Sequence, residues 1–91
     1  MSFAIEKKIW PEYFEKILSG EKNYELRLAD FNCEPGDILV LKEFNPEKQQ
    51  YTGRIIEKTI TYTSKWKIED LEKFWKKEDI KKHGLQIISL K

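Results

Sequence analysis

The sequence predicts an α+β fold: a small five-stranded, mostly antiparallel β-barrel flanked by two or three helices. Three observations lead there. Five short stretches are alternating, β-branched or apolar on both faces, as strands are. Two main stretches repeat their apolar residues at helical spacing. The resulting order, β-α-β-β-β-α-β, leaves little sheet edge to spare, which favours closure.

Taken in order, residues 3–9 (FAIEKKI) read as the first strand. Pro11 suits the first turn of a helix, where its missing N–H costs nothing. Tyr13, Phe14, Ile17 and Leu18 follow at helical spacing, and Gly20 fits a left-handed stop. Residues 23–28 (NYELRL) alternate as a second strand, with Asn23, Glu25 and Arg27 on one face and Tyr24, Leu26 and Leu28 on the other. FNCEPGD is turn chemistry, with Pro35-Gly36 as its strongest punctuation. DILVLKEF (37–44) is apolar on both faces at its start, as a barrel strand would be. The loop NPEKQQYTG leads to a long β-branched strand, RIIEKTITYT (54–63). Ile68, Leu71, Phe74 and Trp75 place a helix over residues 68–76, with Phe74 and Trp75 in the core. KEDIKKHG adds a third helical turn ending at Gly84, and LQIISLK (85–91) is the last strand. No repeat, low-complexity tract or long linker divides the chain, so residues 1–91 read as one domain.

Composition narrows the function. The 91 residues are 36% charged yet carry a formal net charge of only +1, which argues against purely electrostatic binding of nucleic acid. A local basic face remains compatible with that balance. The lone Cys33 has no partner for an internal disulfide, and with the lone His83 it makes no metal-ligand cluster. No run of apolar residues has signal-peptide or membrane-spanning length. The expectation is a cytoplasmic monomer with no cofactor, no metal and no membrane.

The residues that carry chemistry stand around the second expected strand. Lys22, Glu25 and Arg27 alternate in charge, and two readings stand side by side. Such a face can be plain solvated surface, whose ion pairs contribute only about 0–1 kcal/mol each. It can also line a cleft, where the carboxylate accepts from a base's amino edge while the cations hold phosphate or a carbonyl. Trp10, ahead of the first helix, either stacks on a base at the rim or closes the core as a hydrophobic staple. Tyr51 is a loop aromatic that could touch the same ligand. Trp66, between Lys65 and Lys67, either stacks on a base or folds onto the barrel. Lys76, Lys77, Lys81, Lys82 and His83 form the densest basic patch, diluted by Glu78 and Asp79. Cys33 has no base partner in the sequence that would make it a nucleophile.

Gly20, Lys22, Glu25 and Arg27 together resemble the G-x-K-x-x-E-x-R signature of ASCH domains, relatives of the PUA fold, and Gly36-Asp37 resembles that family's G-D element. WPEYFEKILSGEK, ELRLADF, PGDILVL, YTGR and HGLQIISL extend the resemblance, to a small ASCH-like subfamily, over nearly the whole chain. It implies a PUA-like barrel with a cleft lined by Lys22, Glu25 and Arg27, taking RNA, a nucleotide or a modified nucleoside as partner. Some relatives of that family hydrolyse an acyl amide on acetylated cytidine, using a Lys, a Thr and a distant Glu. In an amidohydrolase of that kind Lys22 and Glu25 would be the catalytic pair. However, Glu25 stands where the Thr would be, and the distant Glu is assigned to neither Glu72 nor Glu78. Ile5 also stands where the subfamily often has His. A third reading is a regulator whose partner is another protein.

Overall fold

The computed structural model describes residues 2–90; Met1 and Lys91, the two ends of the expected domain, lie outside the described residues. Its elements are β1 (Ala4–Ile9), α1 (Pro11–Leu18), β2 (Ile38–Asn45), β3 (Gln50–Thr59), α2 (Ile68–Leu71) and α3 (Lys77–His83). The three strands form an open mixed sheet in the order β1-β2-β3. β1 runs parallel to β2, from Ala4 opposite Ile38 to Ile9 opposite Glu43. β2 and β3 form an antiparallel hairpin, with an irregularity between Lys42 and Phe44.

The side chains explain why this unit holds. Ile5, Leu39, Leu41 and Ile56 share one sheet face by their register. α1 covers that face with Phe14 and Ile17, the two residues it buries, and Ile9, Leu39 and Leu41 complete the core. Asp37 fastens the unit at one end: its carboxylate accepts from the Phe3 N–H at 3.0 Å and the Glu34 N–H at 2.9 Å. Those two N–H groups hold the Asp37 carboxyl below the usual carboxylate range. The Gly36-Asp37 pair is therefore a bolt between β1, the preceding turn and β2.

The five-stranded barrel does not form. Three strands pair, the sheet stays open, and one of its two pairings is parallel rather than antiparallel. Residues 23–28 and 85–90 are not strands. Among the described residues neither stretch makes a backbone–backbone hydrogen bond. Alternation says that a segment suits a half-buried surface, but it does not supply an edge to pair with. At β1 the outer edge is occupied differently: Arg27 donates from Nη2 to the Lys8 carbonyl at 2.6 Å, a side chain where a strand's N–H would bind. Leu26 and Leu28 are consequently left 65% and 80% exposed.

Smaller shifts have local causes. β3 starts earlier than expected, because Asn45 accepts the Glu47 and Lys48 N–H groups and tightens the hairpin turn to a few residues. The helix expected over residues 68–76 ends at Leu71. Neither α2 nor α3 buries a residue, and helices this short are marginal without tertiary packing. Phe74 and Trp75, expected in the core, lie exposed and pack on each other at 5.7 Å between ring centres.

Candidate functional site

The site begins at the end of α1. Gly20, at φ +84°, reverses the chain, and the Lys22 N–H then donates to the Lys16 carbonyl at 3.0 Å. That anchor sets the Lys22 ammonium 5.2 Å from the Tyr13 ring centre and 5.1 Å from that of Tyr24. Lys22 Nζ donates to Glu25 Oε1 at 2.8 Å, and Arg27 Nε donates to Glu25 Oε2 at 2.9 Å. Each carboxylate oxygen thus meets one cation. The side chains of Lys22, Glu25 and Arg27 are only 18%, 15% and 28% exposed, well short of a free surface face.

These three residues stand on one wall of a cavity of about 380 Å³. Residues 22–33 supply that wall, residues 58–65 supply another, and Ile17, Leu39 and Leu41 of the core also line it. The walls are tied together by Lys65 Nζ donating to Asn32 Oδ1 at 3.1 Å and by a weak contact of 3.9 Å between Cys33 Sγ and Thr63 Oγ1. Tyr24 and Phe31 add aromatic surface. The arrangement offers a carboxylate acceptor, cations and ring faces within one concavity, which is the equipment for holding a small polar aromatic molecule.

Other sequence candidates lie elsewhere. Trp10 is half exposed and borders a separate shallow depression with Pro46 and Glu47. Tyr51 packs edge-on against Phe44 at 5.2 Å, with the Lys8 and Lys42 ammonium groups each 5.7 Å from its ring, and does not line the cavity. Trp66, Glu72, Glu78 and the basic residues of α3 do not line it either. Ile5 packs against the core. Among the described residues no three His, Cys, Asp or Glu side chains gather as a metal cage, and no helix is long and apolar enough to cross a membrane. Lys58, Thr61 and Thr63 also line the cavity, although their stretch of sequence reads only as a strand. The hydroxyl-rich run TITYTS between Lys58 and Lys65 is the available signal.

A second carboxylate network lies deeper. Glu43 is 3% exposed and accepts from Arg54 Nε at 3.0 Å, from Arg54 Nη2 at 2.8 Å and from the Thr52 hydroxyl. Arg54 also pairs with Glu15 of α1 and lies 4.5 Å over the Phe14 ring centre. The Arg54 bonds hold the Glu43 carboxyl below its ordinary range, and the two carboxylates push the Arg54 guanidinium further up.

Fold and site together define a small α+β protein with a basic, aromatic-lined cavity beside an open mixed sheet. The chain belongs to the family described as "Domain of unknown function (DUF3850)", which it matches over residues 5–75. It is 41% identical over 56 residues to an "Uncharacterized 12.9 kDa protein in GpA 3'region" of Escherichia phage P2. That match takes in 62% of this chain but spans only 50% of the phage protein's length. The expected PUA-like barrel does not form, and neither ASCH membership nor RNA binding finds support. The sheet is open, the matched family has no assigned function, and the phage relative is uncharacterised.

Proposed function

We propose that the cavity binds a nucleoside or nucleotide, and that the protein is a binding module rather than a hydrolase. The observation that carries this is Glu25, a single carboxylate gripped on both oxygens at the wall of a cavity of about 380 Å³, within the roughly 300–1,000 Å³ span of small-molecule sites. A carboxylate fixed in that way keeps lone pairs for a base's amino or imino edge. Tyr24 and Phe31 line the cavity, each with an ammonium group over its ring, Lys22 at 5.1 Å and Lys7 at 3.9 Å from the centre, and base stacking on an aromatic is worth about 1–3 kcal/mol. The single Cys33 supports a cytoplasmic setting for that module.

The test is a thermal-shift and calorimetric screen over the four ribonucleosides and N4-acetylcytidine. We expect saturable binding of at least one nucleoside that Arg27→Ala weakens by about tenfold or more, and no acetate released from N4-acetylcytidine. Acetate release that Lys22→Ala and Glu25→Gln abolish in folded protein would replace binding with amidohydrolysis. No binding at all would favour a protein partner instead.

A further inference from the structure

We infer that the ligand of this cavity carries a phosphate monoester, held by Lys58 and Lys65 and not by the cations paired with Glu25; the inference rests on the nucleoside reading above. Charge singles this cavity out. Over the whole chain 17 Lys and Arg nearly balance 16 Asp and Glu. Inside the cavity that balance fails: Lys22, Arg27, Lys58 and Lys65 line it, against the single carboxylate of Glu25.

Glu25 is already shared between Lys22 and Arg27. Among the described residues, neither Lys58 nor Lys65 has a carboxylate within ion-pair distance. The hydrogen bond of Lys65 goes to the neutral amide oxygen of Asn32. Two ammonium groups without counter-ions, beside a concavity floored by Leu39 and Leu41, attract an anion more strongly than they would on open surface. Thr61, Thr63 and Ser64 lie on the same segment and add hydroxyl donors. Two ammonium groups and several hydroxyls suit a group with three terminal oxygens better than a carboxylate with two.

Orientation follows from the same charges. Glu25 repels a phosphate and accepts from N–H, so the base faces Glu25 and the phosphate faces residues 58–65. The ligand class is thus a nucleoside monophosphate.

The experiment is isothermal titration calorimetry on the intact chain with adenosine, cytidine, guanosine and uridine, and with their 5′-monophosphates. At low salt, at least one monophosphate is expected to bind about tenfold or more tightly than its own nucleoside, a gain that shrinks as salt rises. The double variant Lys58→Gln/Lys65→Gln is expected to bring the monophosphate down to the level of the nucleoside. Both side chains are exposed, so folding should survive, and circular dichroism checks it. Equal affinity for a nucleoside and its monophosphate, or a gain that persists in the double variant, would overturn the inference and leave the nucleoside reading standing. Binding of none of the eight probes would overturn both.

Discussion

Glu43 and Glu25 are each a carboxylate held by cationic side chains, and the comparison between them separates structure from function in this protein. Glu43 is gripped twice by Arg54 and once by Thr52, beneath α1 and almost without solvent. Its partners belong to β3, and Arg54 carries the contact on to Glu15 and Phe14 of α1. That network ties the helix to the sheet. Glu25 has the same kind of partners, but all three members come from one short segment after α1, and the network borders a cavity. One end of it reaches the sheet, where Arg27 meets the Lys8 carbonyl. Similar chemistry therefore does different work: a carboxylate that links distant elements holds the fold, whereas one that links neighbours in sequence shapes a surface.

The comparison breaks most readily at Glu43. Removing it with Glu43→Ala leaves the Arg54 guanidinium short of its buried partner and should cost about 1–3 kcal/mol, read from urea unfolding. Arg54→Met should be worse, since it strands the buried charge of Glu43 itself. The pH dependence gives a second readout. Glu43 has its carboxyl lowered from an ordinary value of 4.5, so its contribution is present above that value and is lost as pH falls through the lower, folded one. The stability gap between wild type and Arg54→Met should thus be widest near neutrality and close in strong acid. A gap that is flat with pH would show that Arg54 acts by packing on Phe14 alone.

What could be read in advance follows the same division. β1, α1 and β2 were legible because their apolar residues do two things at once: they set a period and they find each other, as Phe14 and Ile17 find Leu39 and Leu41. Residues 23–28 carry an equally clean period of two, yet the partner edge is taken by the Arg27 side chain. Ile68, Leu71, Phe74 and Trp75 likewise have the spacing of a helix without a surface to receive it. Periodicity reports which residues share a face; it is silent on whether another element meets that face. The charged cluster was legible for a related reason. Lys22, Glu25 and Arg27 are local in sequence, so spacing alone brings them together, whereas Lys58 and Lys65 reach the same cavity only through the fold.

Glu25→Gln probes the cavity network in the same way. It keeps the shape of the side chain and removes the charge that Lys22 and Arg27 share. Because the three groups retain some contact with water, the loss of stability should be smaller than that of Glu43→Ala, whose carboxylate is almost fully buried. Nucleoside binding should change more than stability does. A Glu25→Gln protein as destabilised as Glu43→Ala would mean that the cavity wall is part of the structural frame after all.

The smallest effect is expected at Leu26, and it tests the open sheet itself. Leu26 sits among the charged residues of the cavity wall but is 65% exposed, touching neither the core cluster nor the cavity. In a closed barrel it would point inward, and replacing it with a polar residue would cost several kcal/mol, as large-to-small changes in cores do. In the open arrangement the same change removes little buried area, so Leu26→Ser should alter stability by no more than about 0.5 kcal/mol. Phe14→Ala supplies the contrast on the same sheet, because Phe14 is 2% exposed under α1. Truncating it should cost about 3–5 kcal/mol. If Leu26→Ser approached that loss, residues 23–28 would have to pack as a strand, and the side-chain bond from Arg27 to Lys8 could not be what fills the edge of β1.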